Sequence, residues 1–315
     1  MSLVLVTGAH GFIGRHLAHR LHRSGCTVVG LGHGAWPEGE AAASGVSSWL
    51  NGDITASNLH ALARLHGLPE VVFHLAGGSS VGAAIAGPRE DFFRTVATTA
   101  ELLEWIRQET PQTRLVAVSS AAVYGAGHKG PIVESAALRP YSPYGYHKLM
   151  METLCRSYAA SYGLHAIVAR LFSVYGAGLR KQLLWDLCTK LESGALPVPL
   201  GGTGAELRDW TDVRDVVRAL VAMMSLASPE VPTLNIGTGV ATTVQDVAAC
   251  VITAWKGSAQ RDDMFFSGQS RAGDPFSLHA DARQLSAMGF EWQVPVSQGL
   301  QDYVHWFRSR PKGNV

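Results

Sequence analysis

Short runs rich in Val and Leu alternate along the chain with stretches whose apolar residues recur every three or four positions. Leu3 to Val6, Thr27 to Leu31, Val71 to Leu75, Leu115 to Ser119 and His165 to Arg170 read as parallel strands buried on both faces. Helical spacing fills the gaps, over Phe12 to Ser24, Ser57 to His66, Arg89 to Gln108 and Tyr144 to Tyr162. Gly25 stands where the first helix needs a C-terminal cap. Strand and helix in strict alternation predict an α/β fold, a doubly wound parallel sheet with right-handed crossovers. Beyond Phe172 the pattern loosens, with Gly and Pro clustered from Pro197 to Gly204 and short helical pieces near Lys181 to Glu192, Val213 to Ser225 and Val244 to Trp255. A smaller C-terminal lobe is expected there. The boundaries predicted are 1–172 with about 209–239 for the sheet domain, and 173–208 with 240–315 for the lobe.

With 315 residues and 47% hydrophobic content, the chain can bury one large core or two ordinary ones. Its net charge of +1 supplies no field for nucleic acid or an anionic membrane, and neither partner is expected. Four scattered cysteines without a Cys-x-x-Cys pair fit a reducing compartment, so a cytoplasmic location is expected. The run Leu3 to Val6 turns at once into Thr7-Gly8, too short and uncharged for a signal peptide, and Arg218 interrupts the apolar run from Val216 to Ala227.

The first strand leads into Thr7-Gly8-Ala9-His10-Gly11-Phe12-Ile13-Gly14. Gly8, Gly11 and Gly14 permit a tight turn and close approach of a pyrophosphate. The helix opened by Phe12 and Ile13 presents unpaired N–H groups to it. A dinucleotide cofactor is the expected ligand. The second strand ends with Gly32 where an acid would bind the adenosine ribose, which leans the reading toward NADP without excluding NAD. His33 and Arg15 are the nearby cations for a 2'-phosphate. After a third strand, Asp53 is placed to accept from the adenine amino group, with Ile54 beside it.

Tyr144 and Lys148 lie four apart behind Ser142-Pro143, so phenol and ammonium share one helix face. An adjacent ammonium favours phenolate, which would let Tyr144 act as an acid or base near neutral pH. Ser120 ends the fifth strand, at the edge where open α/β sheets hold their ligands.

Taken in order, Thr-Gly-x-x-Gly-x-x-Gly, Phe73-His74-Leu75-Ala76-Gly77, Ser119-Ser120-x-x-Val-Tyr-Gly and Ser-Pro-Tyr-x-x-x-Lys resemble the extended short-chain dehydrogenase/reductase family, in its NAD(P)-dependent nucleotide-sugar epimerase/dehydratase branch. The resemblance implies a Rossmann sheet, NAD or NADP as cofactor, a nucleoside diphosphate sugar as substrate, and a homodimer. It makes Ser120, Tyr144 and Lys148 the catalytic set, has Leu75, Ala76 and Gly77 line the cofactor, and puts Asp53 at the adenine. In the second lobe, the stretch from Arg170 to Gly176 resembles the family's Arg-x-Phe-Asn, with Ser173 in the Asn position. Arg208, and Arg271 of Arg271-Ala272-Gly273-Asp274, match its diphosphate-binding arginines.

Departures sharpen the reading. Ala121 and Ala122 replace the acidic pair of the family's dehydratases, and Ala122 also replaces the cysteine of its 3,5-epimerases. Thr95 stands for a usual Asn, and His147 for a usual Ser before Lys148. His16, His19 and His22 lack a carboxylate or cysteine to complete a metal site, and none is expected. The reading that results is a 4-epimerase acting by transient oxidation at sugar carbon 4. An NADPH-dependent 4-keto-6-deoxysugar reductase is its rival, and a non-catalytic nucleotide-binding protein is the remote alternative.

Overall fold

Val4, Leu5 and Val6 of β1 (Leu3–Thr7) are all buried, so this strand has no solvent face and belongs inside a sheet covered on both sides. The computed structural model describes residues 2–269 and 275–311. With strands numbered along the chain, β1 is joined by β2 (Thr27–Gly32), β3 (Ser48–Asn51), β4 (Val71–His74), β5 (Arg114–Ser120), β6 (Ala166–Leu171) and, from later in sequence, β10 (Thr233–Ile236). The order is β10-β6-β5-β4-β1-β2-β3, and every pairing is parallel. The chain reverses its winding between β1 and β4, which creates a switch point at the carboxyl ends of those strands, where such sheets bind ligands.

This sheet and its helices form one unit, Met1–Gly125, Glu134–Leu171 and Val217–Ile236. Its core packs Leu5, Val29 and Val72 of the strands against Leu59 and Leu62 of the helix Ala56–His66. Leu102 and Ile106 of the helix Thr98–Glu109 and Met151 and Cys155 of the helix Pro143–Tyr162 complete it. Every one of these nine side chains is buried, and burial of this kind contributes about 1.5–3 kcal/mol for each large aliphatic group.

The helix expected from Arg89 to Gln108 is not continuous. It consists of Pro88–Phe92, one wide π turn at Phe93–Ala97, and Thr98–Glu109. Threonine hydroxyls support the irregularity: Thr98 Oγ1 donates to the Arg94 carbonyl at 2.6 Å and Thr99 Oγ1 to the Thr95 carbonyl at 2.5 Å.

The second unit comprises Ala126–Val133, Phe172–Val216 and Gly237–Val315. Its strands are β7 (Ser173–Tyr175), β8 (Val198–Leu200), β9 (Leu207–Asp212), β11 (Ala241–Thr243), β12 (Met264–Phe266) and β13 (Ser277–Leu278). β9 is the hub, paired with β7, β11 and β13, while β8 pairs with β12. Residues 209–216 therefore group with this unit and not with the sheet domain, because β9 spends its hydrogen bonds on the smaller sheet. Asp209 fixes that hub: fully buried, it accepts from the N–H groups of Thr238, Gly239 and Ala280 and from the Thr238 hydroxyl. Among the described residues no helix is long and apolar enough to cross a membrane, and no group of three or more His, Cys, Asp or Glu side chains is arranged to hold a metal ion.

Candidate active site

The turn after β1 is built for close approach. A Cβ on Gly14 would lie 2.2 Å from the Gly8 carbonyl oxygen, so helix and turn can pack this tightly only without a side chain. The helix Phe12–Arg23 starts after Gly11 with no side-chain cap and no acidic residue in its first turn. Its positive end is thus available to an anion such as a dinucleotide pyrophosphate, and the cradle fits NAD or NADP.

Beneath the turn, a hydrogen-bond chain ties β1 to β4. Thr99 gives its proton to the Thr95 carbonyl, so it must accept from His74 Nε2–H at 3.0 Å. His74 Nδ1 then accepts from Thr7 Oγ1 at 2.8 Å, and Thr7 accepts from the Ala76 N–H at 3.3 Å. Burial, with the Lys148 charge adding to it, pushes His74 down to about 3, so the imidazole stays neutral. Leu75, Ala76 and Gly77 follow β4 in the loop this chain anchors.

At the adenosine end, Gly32 has φ +150°, a conformation that an Asp would adopt only with strain, so the missing acid is a property of the backbone as well as of the sequence. The two cations proposed for a 2'-phosphate are both met by acids. His33 Nε2 lies 2.8 Å from Asp53 Oδ1, and Arg15 Nη1 lies 3.3 Å from Glu40 Oε2. Arg15 also donates to the His10 carbonyl at 2.9 Å and stacks 4.0 Å over the Trp36 ring. Ile54 is buried behind Asp53.

Ser142 caps the helix Pro143–Tyr162 by accepting from the Gly145 N–H at 3.2 Å, and Pro143 occupies its first turn. This start aims Tyr144 at the end of β5, where Ser120 hydrogen-bonds its hydroxyl. Lys148, one turn on, is buried and donates to the Val118 carbonyl at 3.0 Å. Burial pushes its ammonium down to about 8 against the opposing pull of the Asp91 and Glu152 carboxylates. Tyr144 departs from expectation in one respect. Burial raises it, the Ser120 hydrogen bond opposes, and Asp91 raises it further, while Lys148 does not figure among these influences. The ammonium is turned toward the carbonyl of Val118.

Two pairs escaped the sequence reading. Glu152, fully buried, receives Arg170 through two bonds of 2.7 and 3.0 Å and the Ser119 hydroxyl at 2.6 Å. Tyr144, Lys148 and Glu152 are spaced i, i+4, i+8, a signal that extends the face by one more turn. Asp91, in the helix Pro88–Phe92, accepts from His147 Nδ1 at 2.6 Å, with both side chains almost fully buried. Nothing in the spacing of 91 and 147 announces that contact.

In the second unit, Ser173 pairs with Trp210 across β7 and β9, and Arg208 Nη1 donates to the carbonyls of Leu207 and Phe276 at 2.9 and 3.4 Å. Arg271 lies outside the described residues.

The model of the NAD dependent epimerase/dehydratase family matches residues 4–237. The chain belongs to that family. A UDP-glucose 4-epimerase of Streptomyces lividans is 32% identical over 98% of this chain and 97% of its own length. Among solved structures, MoeE5 in complex with UDP-glucuronic acid and NAD is 35% identical with a TM-score of 0.83, over 97% of this chain and 98% of its own. A Thermus thermophilus UDP-glucose 4-epimerase in complex with NAD is 28% identical with a TM-score of 0.86, over 98% and 99%. As an epimerase/dehydratase family member, the chain carries Ala121 and Ala122 directly after Ser120. Both are small and neither can ionise.

Proposed function

We propose that the protein is an NAD-dependent nucleotide-sugar 4-epimerase, with Ser120, Tyr144 and Lys148 as its catalytic set. The observation that carries this is the Ser120 hydroxyl bonded to the Tyr144 phenol at the end of β5, on an edge that offers no second acid or base at 121 or 122. NAD, when bound, supplies a reversible hydride acceptor. Tyr144 holds the proton of the sugar 4-oxygen, Ser120 donates a hydrogen bond to that oxygen, and the Lys148 ammonium supplies the positive charge that favours the phenolate once the phenol must ionise. The Gly8, Gly11, Phe12, Ile13 and Gly14 turn would hold the pyrophosphate, with Asp53, Ile54 and the 75–77 loop along the nucleoside and nicotinamide. NAD is favoured over NADP because Arg15 and His33 already face Glu40 and Asp53. For the sugar nucleotide, Ser173, Arg208 and Arg271 are the proposed ligands, and a UDP-sugar is the first to test, since the relatives above carry that chemistry in their names.

Exposed Phe92, Phe93, Tyr146 and Met150 lie on the segments 88–109 and 143–162, and they support an isologous dimer through those helices.

The test is incubation with UDP-glucose or UDP-glucuronic acid without added reductant. Product inverted at carbon 4, retaining the sugar's own carbon-4 hydrogen, is expected, and turnover should fall by about 10²–10⁴ in Tyr144→Phe with little change in KM. Turnover that requires NADPH, or that survives intact in Tyr144→Phe, would refute the reading.

A further inference from the structure

We propose that Asp91 is a positioning residue for the Tyr144 and Lys148 pair, and that His147 is the clamp that holds its carboxylate there. The proposal rests on the roles given to those two residues above. Asp91 Oδ2 takes the His147 Nδ1–H at 2.6 Å, and its other oxygen lies against the loop after β4, where a Cβ added to Gly78 would fall 1.8 Å from Oδ1. One residue earlier in the same loop, a Cβ on Gly77 would fall 3.3 Å from Lys148 Nζ. Carboxylate and ammonium thus pack against consecutive residues of one turn. The Phe92 ring meets the imidazole edge-on at 5.6 Å.

Charge bookkeeping singles out Asp91. A buried ammonium needs a countercharge. The charged and titratable groups acting on or with Lys148 are Asp91, Glu152 and His74. His74 is neutral, and Glu152 already receives the guanidinium groups of Arg170 and Arg156. Asp91 makes its one side-chain ion pair among the described residues with an imidazole, which can be neutral, so its negative charge is left to act on Lys148. The same carboxylate acts on Tyr144, where Ser120 is the other polar influence. His147 directly precedes Lys148 on the helix, so the clamp and the ammonium move together.

The sign follows. Removing the Asp91 charge removes what retains the Lys148 proton and what opposes ionisation of Tyr144, so both should titrate at lower pH. The chain has six lysines, few enough for ¹³C-lysine labelling to resolve Lys148, assigned by loss of its signal in Lys148→Met. In the wild type its midpoint is expected at about 8. Asp91→Asn should lower that midpoint by roughly one unit. His147→Leu should lower it in the same direction, whereas His147→Asn, whose amide can replace Nδ1–H, should restore it. The kcat profiles of Asp91→Asn and His147→Leu should move to lower pH with KM unchanged, and that of His147→Asn should return toward wild type, where a purely structural role would scale the whole profile down in place. An unmoved Lys148 midpoint in Asp91→Asn overturns the proposal. Should Asp91→Asn not fold, an unmoved midpoint in His147→Leu overturns it. The titration needs no turnover, so a shifted midpoint in a protein that epimerises nothing would sustain this inference and refute the function.

Discussion

Glu152→Gln isolates the buried pair behind the site. The carboxylate has no exposed surface and accepts two bonds from Arg170, two longer ones from Arg156 and one from Ser119, while the two N–H groups of Arg170 Nη1 go to the Tyr124 hydroxyl at 2.9 Å and the Glu134 carbonyl at 3.0 Å. An amide in place of the carboxylate turns one acceptor into a donor facing the guanidinium and strands a buried cation. Breaking such a pair costs about 3–5 kcal/mol, a large part of the roughly 5–15 kcal/mol that stabilises a typical protein. Replacing both partners by methionine should recover most of that loss, because the desolvation of both charges disappears with their attraction. Burial raises Glu152, but the Arg170 bonds and charge win, and its folded-state value lies below the ordinary 4.5. A depressed carboxylate stabilises the fold above its unfolded value and loses that contribution as pH falls through its folded one. The gap between wild type and Glu152→Gln should therefore be full at pH 7 and close in acid as the pH falls through the depressed folded-state value. Amide hydrogen exchange over β5 and β6 reads the opening energy of this unit directly. Exchange within about 1 kcal/mol of wild type at pH 7 would refute the reasoning.

Three further outcomes are expected. Glu40→Gln frees Arg15, and because the pair is a third or more exposed and worth no more than about 1 kcal/mol, calorimetry should show NADP affinity rising relative to NAD by up to about fivefold; an unchanged ratio would remove Arg15 from the 2'-position. Arg208→Ala should weaken UDP binding by about 1.5–3 kcal/mol and leave NAD alone, and equal binding by the variant would take Arg208 out of the diphosphate site. Sedimentation at micromolar concentration should show a dimer, and Tyr146→Glu should yield monomer; a monomeric wild type would retire the helical interface.

The glycine turn, the parallel strands and the shared helix face of Tyr144 and Lys148 were legible because each depends on local spacing: glycines at fixed offsets, apolar runs of strand length, an i, i+4 pair. What was missed depends on contacts distant in sequence. Asp91 and His147 are 56 residues apart, and each reads alone as an ordinary helical residue. Arg15 and His33 looked available because the acids that meet them, Glu40 and Asp53, come 25 and 20 residues later. The helix Val296–Ser309 was overlooked although Leu300, Tyr303, Val304 and Phe307 have helical spacing, since Gly299 and three aromatic residues blur the apolar stripe. The small strands of the second unit, two or three residues long for the most part, carry too few positions for alternation to show.

The π turn at Phe93–Ala97 makes chain length itself a determinant of the site. A helix turns about 100° per residue, so the extra residue accommodated there sets the angle at which Pro88–Phe92 meets the rest. Deleting one residue from this turn would not merely shorten the segment. It would rotate everything before it by more than a quarter of a circle, carrying Asp91 off His147 while Thr99 stayed beneath His74. Substitutions can tune such a segment, but an insertion or deletion would rewire it, so variation among proteins built this way should accumulate in residue identity at 93–97 and spare the residue count.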